Sequence, residues 1–180
     1  MSLGLIKEYN EDWPNWFNQI KGILEESLWG LYLSIEHVGS TSIPGMNAKP
    51  IIDIDIIIWR ENFNRVLSHL TSLGYIHKGD LGITGREAFD LIQDKKEILP
   101  PHHLYVCYEG EYELKKHLAF RDYLRKNKLA KEKLIKLKVE LERTCKTKEE
   151  YIDKKDSLVK ELTVLALKEY EEREYKKKSF

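Results

Sequence analysis

The chain has 180 residues, with 42% hydrophobic and 33% charged residues, and its 30 basic and 30 acidic side chains cancel to a formal net charge of zero. That composition excludes disordered and low-complexity classes and predicts one domain over residues 1–180 with enough apolar mass for a packed core. The neutral balance argues against a dedicated nucleic-acid binder, and no apolar run reaches the roughly 18 residues of a membrane helix.

The two cysteines, Cys107 and Cys145, make no zinc or disulfide pattern. With no basic-then-apolar leader at the N-terminus, a reduced cytoplasmic protein is expected.

In chain order, Asp12, Trp13 and Pro14 open a first helix whose apolar face is Trp16, Ile20, Ile23, Leu24 and Leu28, ending near Gly30. Leu31, Leu33 and Ile35 then alternate with polar residues, which predicts a strand to about Val38. After the turn at Pro44 and Gly45, the isoleucine-rich run from Pro50 to Trp59 reads as a central strand covered on both faces. A helix from Glu61 to Leu73 stops at Gly74. Shorter strands are expected at Tyr75–His77, Leu81–Thr84, Glu87–Gln93 and His102–Tyr108.

From Glu111 the periodicity is helical, giving Glu111–Lys126, Leu129–Arg143 and Lys148–Glu174. Thr147 and Glu150 form a capping box for the last helix. The fold class predicted is therefore α/β (α+β): a sheet flanked by helices over 1–110, with a C-terminal helical cap over 111–180.

Asp53 and Asp55 stand two apart in the central strand, so both carboxylates point to one face while Ile52, Ile54 and Ile56 point to the other. Acids so placed repel each other and lose hydration unless something positive neutralises them. Mg²⁺ or Mn²⁺ fits, because hard cations take carboxylate, phosphate and water oxygens. The structural alternative is an ion-pair network with Lys49, Arg60 or Arg86.

Gly39 and Ser40 break the preceding strand, with twelve residues separating Ser40 from Asp53. Glycine permits close backbone approach to an anion, and amide and hydroxyl donors can hold phosphate oxygens. A capped loop is the plainer use of Gly39-Ser40-Thr41-Ser42.

Together these two elements match the nucleotidyltransferase superfamily signature, and Glu36 to Ile56, EHVGSTSIPGMNAKPIIDIDI, closely resembles the GrpB family. The similarity continues through His102 to Val106, His117 to Arg125 and Tyr151 to Leu158. The resemblance implies a nucleotidyltransferase-like mixed sheet in which Ser40 holds a triphosphate and Asp53 and Asp55 bind magnesium. It also implies that an acceptor hydroxyl attacks the α-phosphate in line. The superfamily's third acid is missing from the expected strand, His102–Tyr108, which brings histidines instead; Glu87 and Asp90 lie on the strand before it.

His102 and His103 point to opposite faces, so one of them at most faces the acids, as metal ligand, general base or plain hydrogen-bonding group. His117, Arg121 and Arg125 recur at four-residue spacing on one helical stripe; the arginines either clamp phosphate or form a solvated, Asp122-paired face. Lys154 and Lys155 are weaker candidates of the same kind.

The candidate site comprises Asp53, Asp55 and His103 as catalytic residues, with the two aspartates as metal ligands. Gly39, Ser40, Thr41, Lys49, Arg121 and Arg125 are the phosphate-binding candidates. The expected partners are a nucleoside triphosphate and a small-molecule acceptor. The function expected is nucleotidyl transfer; the alternatives are a non-catalytic nucleotide- or metabolite-binding module and a metal-dependent phosphohydrolase using Asp53, Asp55 and His103.

Overall fold

The computed structural model describes residues 3–178. Five strands, β1 (Ser34–Val38), β2 (Ile52–Ile58), β3 (Tyr75–Gly79), β4 (Arg86–Leu91) and β5 (His102–Tyr108), form one mixed sheet in the order β1-β2-β5-β4-β3. Only β2 and β5 run parallel; the other neighbours are antiparallel. One face is closed by α1 (Trp13–Ser27) and α2 (Phe63–Ser72), and the short α3 (Gln93–Lys96) lies before β5. The other face meets α4 (Tyr112–Lys126), followed by α5 (Lys128–Thr144) and α6 (Lys148–Lys178).

The strand period explains this division. Ile52, Ile54, Ile56 and Ile58 are fully buried against Ile20, Leu24, Val66 and Leu70 of the two flanking helices. Burying each such side chain contributes about 1.5–3 kcal/mol, which fixes the register and turns Asp53 and Asp55 toward α4. A second cluster joins Ile43 and Met46, from the loop after β1, to Leu124, Leu134, Leu158 and Leu162 of the C-terminal helices. Those helices therefore pack on the Gly39–Ser40 loop itself.

Three expectations change. Leu81–Thr84 is a turn, not a strand: φ is +50° at Leu81 and +78° at Gly82, outside the extended region, and the Gly82 amide donates to the Asp80 carboxylate. Asp12 precedes α1 but its side chain makes no cap; its own amide donates to Asn10 Oδ1. The last helix runs to Lys178, one turn past Glu174. At its start the Thr147 hydroxyl accepts from the Glu150 amide, the capping half expected from the sequence.

Candidate functional site

The acids are placed by pairing. Asp53 lies opposite Val38 of β1 and His103 of β5, and Asp55 opposite Glu36 and Tyr105. Gly39 follows at once with φ +70°, and a Cβ there would collide with the Asp53 carboxylate. Only glycine satisfies both the backbone conformation and that close approach. Ser40 to Ser42 form a single 3₁₀ turn, pinned by Ser42 Oγ donating to the Gly39 carbonyl at 2.7 Å.

The Thr41 hydroxyl donates to the Ile51 carbonyl at 3.2 Å, so its oxygen accepts from His37 Nε2 at 3.0 Å. His37 is buried and stacked on Phe17; burial, then Arg125 and Arg121, pushes its pKa down to about 4 and keeps the ring neutral.

The two aspartates have different fates. Asp53 Oδ1 accepts from His103 Nδ1 at 2.9 Å in a partly open position, and that hydrogen bond raises the His103 pKa against the opposing effect of burial. Asp55 is completely buried and its Oδ2 accepts from His117 Nδ1 at 2.7 Å, while Oδ1 is buried without a hydrogen-bond partner. Burial opposes charge on His117, but hydrogen bonds to Asp55 and Glu113 outweigh it and lift its pKa to about 9. The same contact, despite burial, holds Glu113 down at about 2. Histidines, and not Lys49, Arg60 or Arg86, neutralise the paired acids: Arg60 bonds Glu111 and Arg86 lies over the Tyr105 ring.

Neither Glu87 nor Asp90 joins them as a third carboxylate. Glu87 lies opposite Val106, so it sits on the far face, where it pairs with His77; Asp90 is on the acid face but pairs with Lys96 at 2.8 Å. Among the described residues no group of three or more His, Cys, Asp or Glu is arranged to hold a metal. A resident two-cation centre therefore does not fit. Asp53 alone fits a cation that arrives with phosphate ligands of its own.

A cavity of about 160 Å³ opens beside Asp53, lined in part by Ser40, Thr41, Lys49, Asp53 and His103. Of the candidates from the sequence, these five and Lys155 share the cavity, and Gly39 supports Asp53 at its edge. Asp55, Arg121 and Arg125 do not line it. Arg121 Nη1 donates to Glu36 Oε2 at 2.7 Å and to the His37 carbonyl, and its Nε donates to Asp122. Arg125 donates twice to the Ser42 carbonyl, at 2.7 and 3.0 Å. Both arginines fasten α4 to the loop and to β1.

Two cavity lysines come from the C-terminal helices. Lys138 of α5 is 4% exposed, and its Nζ donates to Ser40 Oγ at 2.7 Å and to the Asn47 carbonyl at 2.8 Å. Burial, then Lys155, lowers its pKa to about 7. Lys155 is itself lowered by burial and by Lys49. Neither Lys49, Lys138 nor Lys155 forms an ion pair with a carboxylate among the described residues. Sequence reasoning reached Lys155 only weakly and missed Lys138. Its signal was position: it falls four after Leu134 on the buried stripe Ala130, Leu134, Leu141, where a lysine is out of place.

Comparison with known proteins shows the family and the fold. The chain is 32% identical over 164 residues to the glutamate-rich protein GrpB of Alkalihalophilus pseudofirmus, covering 88% of this chain and 92% of that one. It is 35% identical over 154 residues to the UPF0157 protein YqkA of Bacillus subtilis, covering 84% of this chain but only 44% of that protein. The crystal structure of the conserved protein GrpB from Enterococcus faecalis superposes with a TM-score of 0.79 at 31% identity, over 92% of this chain and 98% of that one. The structure of Cid1 in complex with its short product ApU superposes with a TM-score of 0.51 at 11% identity, over 76% and 43% of the two chains, which shows a shared nucleotidyltransferase-like fold. The family model described as GrpB protein matches residues 5–164, and the chain belongs to the GrpB family.

Proposed function

We propose that this protein binds a nucleotide-class ligand by its phosphate chain, between Ser40 of the loop and Lys138 of α5. The observation that carries the reading is Lys138, an almost fully buried ammonium bonded only to a hydroxyl and a carbonyl at the wall of a cavity. A desolvated cation with no carboxylate partner is costly, and phosphate oxygens are the partner that Lys138, Lys49 and Lys155 would share. His103, with its raised pKa, adds a further donor to the same lining. Asp53 is the carboxylate that would face Mg²⁺ or Mn²⁺ carried in on the phosphates.

A second reading, nucleotidyl transfer to a small-molecule acceptor, is favoured by the common face of Asp53 and Asp55 beside Gly39 and Ser40. In it the acceptor hydroxyl oxygen bonds the α-phosphorus as the bond to pyrophosphate breaks, and the hydroxyl proton passes to solvent. Asp55 takes part only if α4 withdraws His117 from it.

The test is thermal stabilisation by inorganic tripolyphosphate and by the four nucleoside triphosphates, each with and without Mg²⁺. Ligand at 100 times Kd stabilises the native chain by about 2.7 kcal/mol, and Lys138→Met loses the shift. No shift with any of these anions overturns the proposal. Pyrophosphate released with a candidate acceptor establishes transfer, and free phosphate released without one establishes hydrolysis.

A further inference from the structure

A second cavity, of about 330 Å³, also has His103 in its lining. Its walls are Leu91 at the end of β4, Leu99, Pro100, Pro101 and His102 at the entry to β5, with Asp90 and Lys96 at the rim. Ile51 and His103 belong to both cavities, so the two adjoin at one imidazole. They differ in chemistry. The first is walled by three lysines and Ser40; the second is mostly apolar, and its two charged groups neutralise each other in the Lys96–Asp90 pair.

His103 is oriented by Asp53 through Nδ1, with its side chain about half exposed between the compartments, and His102 is held by Tyr75 and the Pro100 carbonyl. The apolar walls are therefore built on the end of β4 and the entry to β5, two interior strands, and do not depend on the three lysines of the first cavity.

We propose that the second compartment takes the nucleoside end of the ligand, base and sugar, while its phosphate chain passes His103 and ends at Lys138. This rests on the reading of the first cavity as a phosphate site. The argument for the occupant is continuity and charge: a neutral, ring-bearing group attached to a polyanion needs an uncharged, apolar space next to a cationic one. The volume is at the lower end of the range for small-molecule sites and suits a nucleoside, with aliphatic walls and two imidazoles in place of further charges. His103, donating across the junction, would touch the phosphate nearest the sugar.

Two ligands separate this from the phosphate reading. Inorganic tripolyphosphate has the charge and no nucleoside; ATP has both. In amide NMR spectra of the native chain, tripolyphosphate is expected to shift Gly39, Ser40, Lys138 and Lys155, and ATP to shift those and also Leu91, Leu99 and His102. Leu99→Trp, which fills the second compartment, should weaken ATP at least tenfold in calorimetry and leave tripolyphosphate unchanged.

If neither anion binds, the phosphate reading fails and this proposal with it. If tripolyphosphate binds but ATP moves the same amides and no others, or Leu99→Trp leaves the ratio of the two affinities as in the native chain, the nucleoside lies elsewhere and this proposal alone is overturned. The spectra of the native chain decide the matter even if Leu99→Trp folds poorly.

Discussion

Lys138 gives the sharpest quantitative consequence of the site. Its pKa falls from an ordinary lysine value to about 7 because burial strips the ammonium of water and Lys155 lies nearby. At pH 8 about nine-tenths of the free protein then holds Lys138 neutral, and at pH 6 about one-tenth. A phosphate chain against Nζ restores the charged form, so binding draws a proton from buffer. The expected uptake at this residue is about 0.9 proton per ligand at pH 8 and about 0.1 at pH 6.

Titration calorimetry of tripolyphosphate in buffers of different ionisation enthalpy counts these protons directly. Lys138→Arg is the control, since a guanidinium stays charged throughout and contributes no uptake of its own. It should bind with a proton count that reflects only the ligand and the remaining groups. Equal uptake at pH 8 for the native chain and Lys138→Arg would refute the assignment of a desolvated, titrating ammonium to the cavity.

Three further outcomes follow from the geometry. Gly39→Ala puts a methyl into the Asp53 carboxylate at a positive φ, and a loss of about 1–3 kcal/mol in urea unfolding is expected; a change under half that range would show that the loop adapts. His117→Ala leaves Asp55 as a buried charge without its partner, at about 3–5 kcal/mol, and adding Asp55→Asn should recover much of the loss. The folded His117 pKa is raised, so this pair's stabilisation is fully present below the unfolded value of 6.5 and fades as pH rises through about 9; urea midpoints of native chain and double variant should converge there. His37 behaves oppositely. Its folded pKa is depressed to about 4, the unfolded chain binds the extra proton, and stability should fall by up to about 3 kcal/mol between pH 6.5 and 4, a fall absent in His37→Gln.

Much of this architecture could be read from local pattern. The alternation through Ile52 to Ile58 carries its own register, since a slip of one residue would turn Asp53 and Asp55 into the apolar core under α1 and α2 and the four isoleucines away from it. Gly39 announced a special backbone and the Glu111 boundary a change of period, and both are where they were expected. The loop from Asp80 to Gly85 was misread because Leu81 and Ile83 mimic a strand, while the turn geometry there is set by the flanking glycines.

The site was less legible than the fold because its decisive contacts are distant in sequence. His117 meets Asp55 across 62 positions, and Lys138 meets Ser40 across 98. Nothing local distinguishes a histidine that neutralises a buried carboxylate from one on a wet helix face. The arginine stripe was likewise real, with Arg121 and Arg125 on one side of α4, yet their donors are spent on Glu36, Asp122 and backbone carbonyls. Charge and spacing identified which residues face inward; only tertiary structure says whom they meet.

The span between Ser40 and Lys138 also has a consequence for biosynthesis. During translation the sheet and its flanking α1 and α2 can emerge and pack while α5 is still in the ribosome, because their apolar cluster draws nothing from beyond Tyr108. Such a nascent chain has its glycine turn, its aspartate and Lys49 but neither of the two cavity lysines that α5 and α6 supply. On the proposed reading, ligand capture by Lys138 would await the last third of synthesis, and a molecule bridging Ser40 to Lys138 would then act as a clasp that fastens late-made helices onto the early-made sheet.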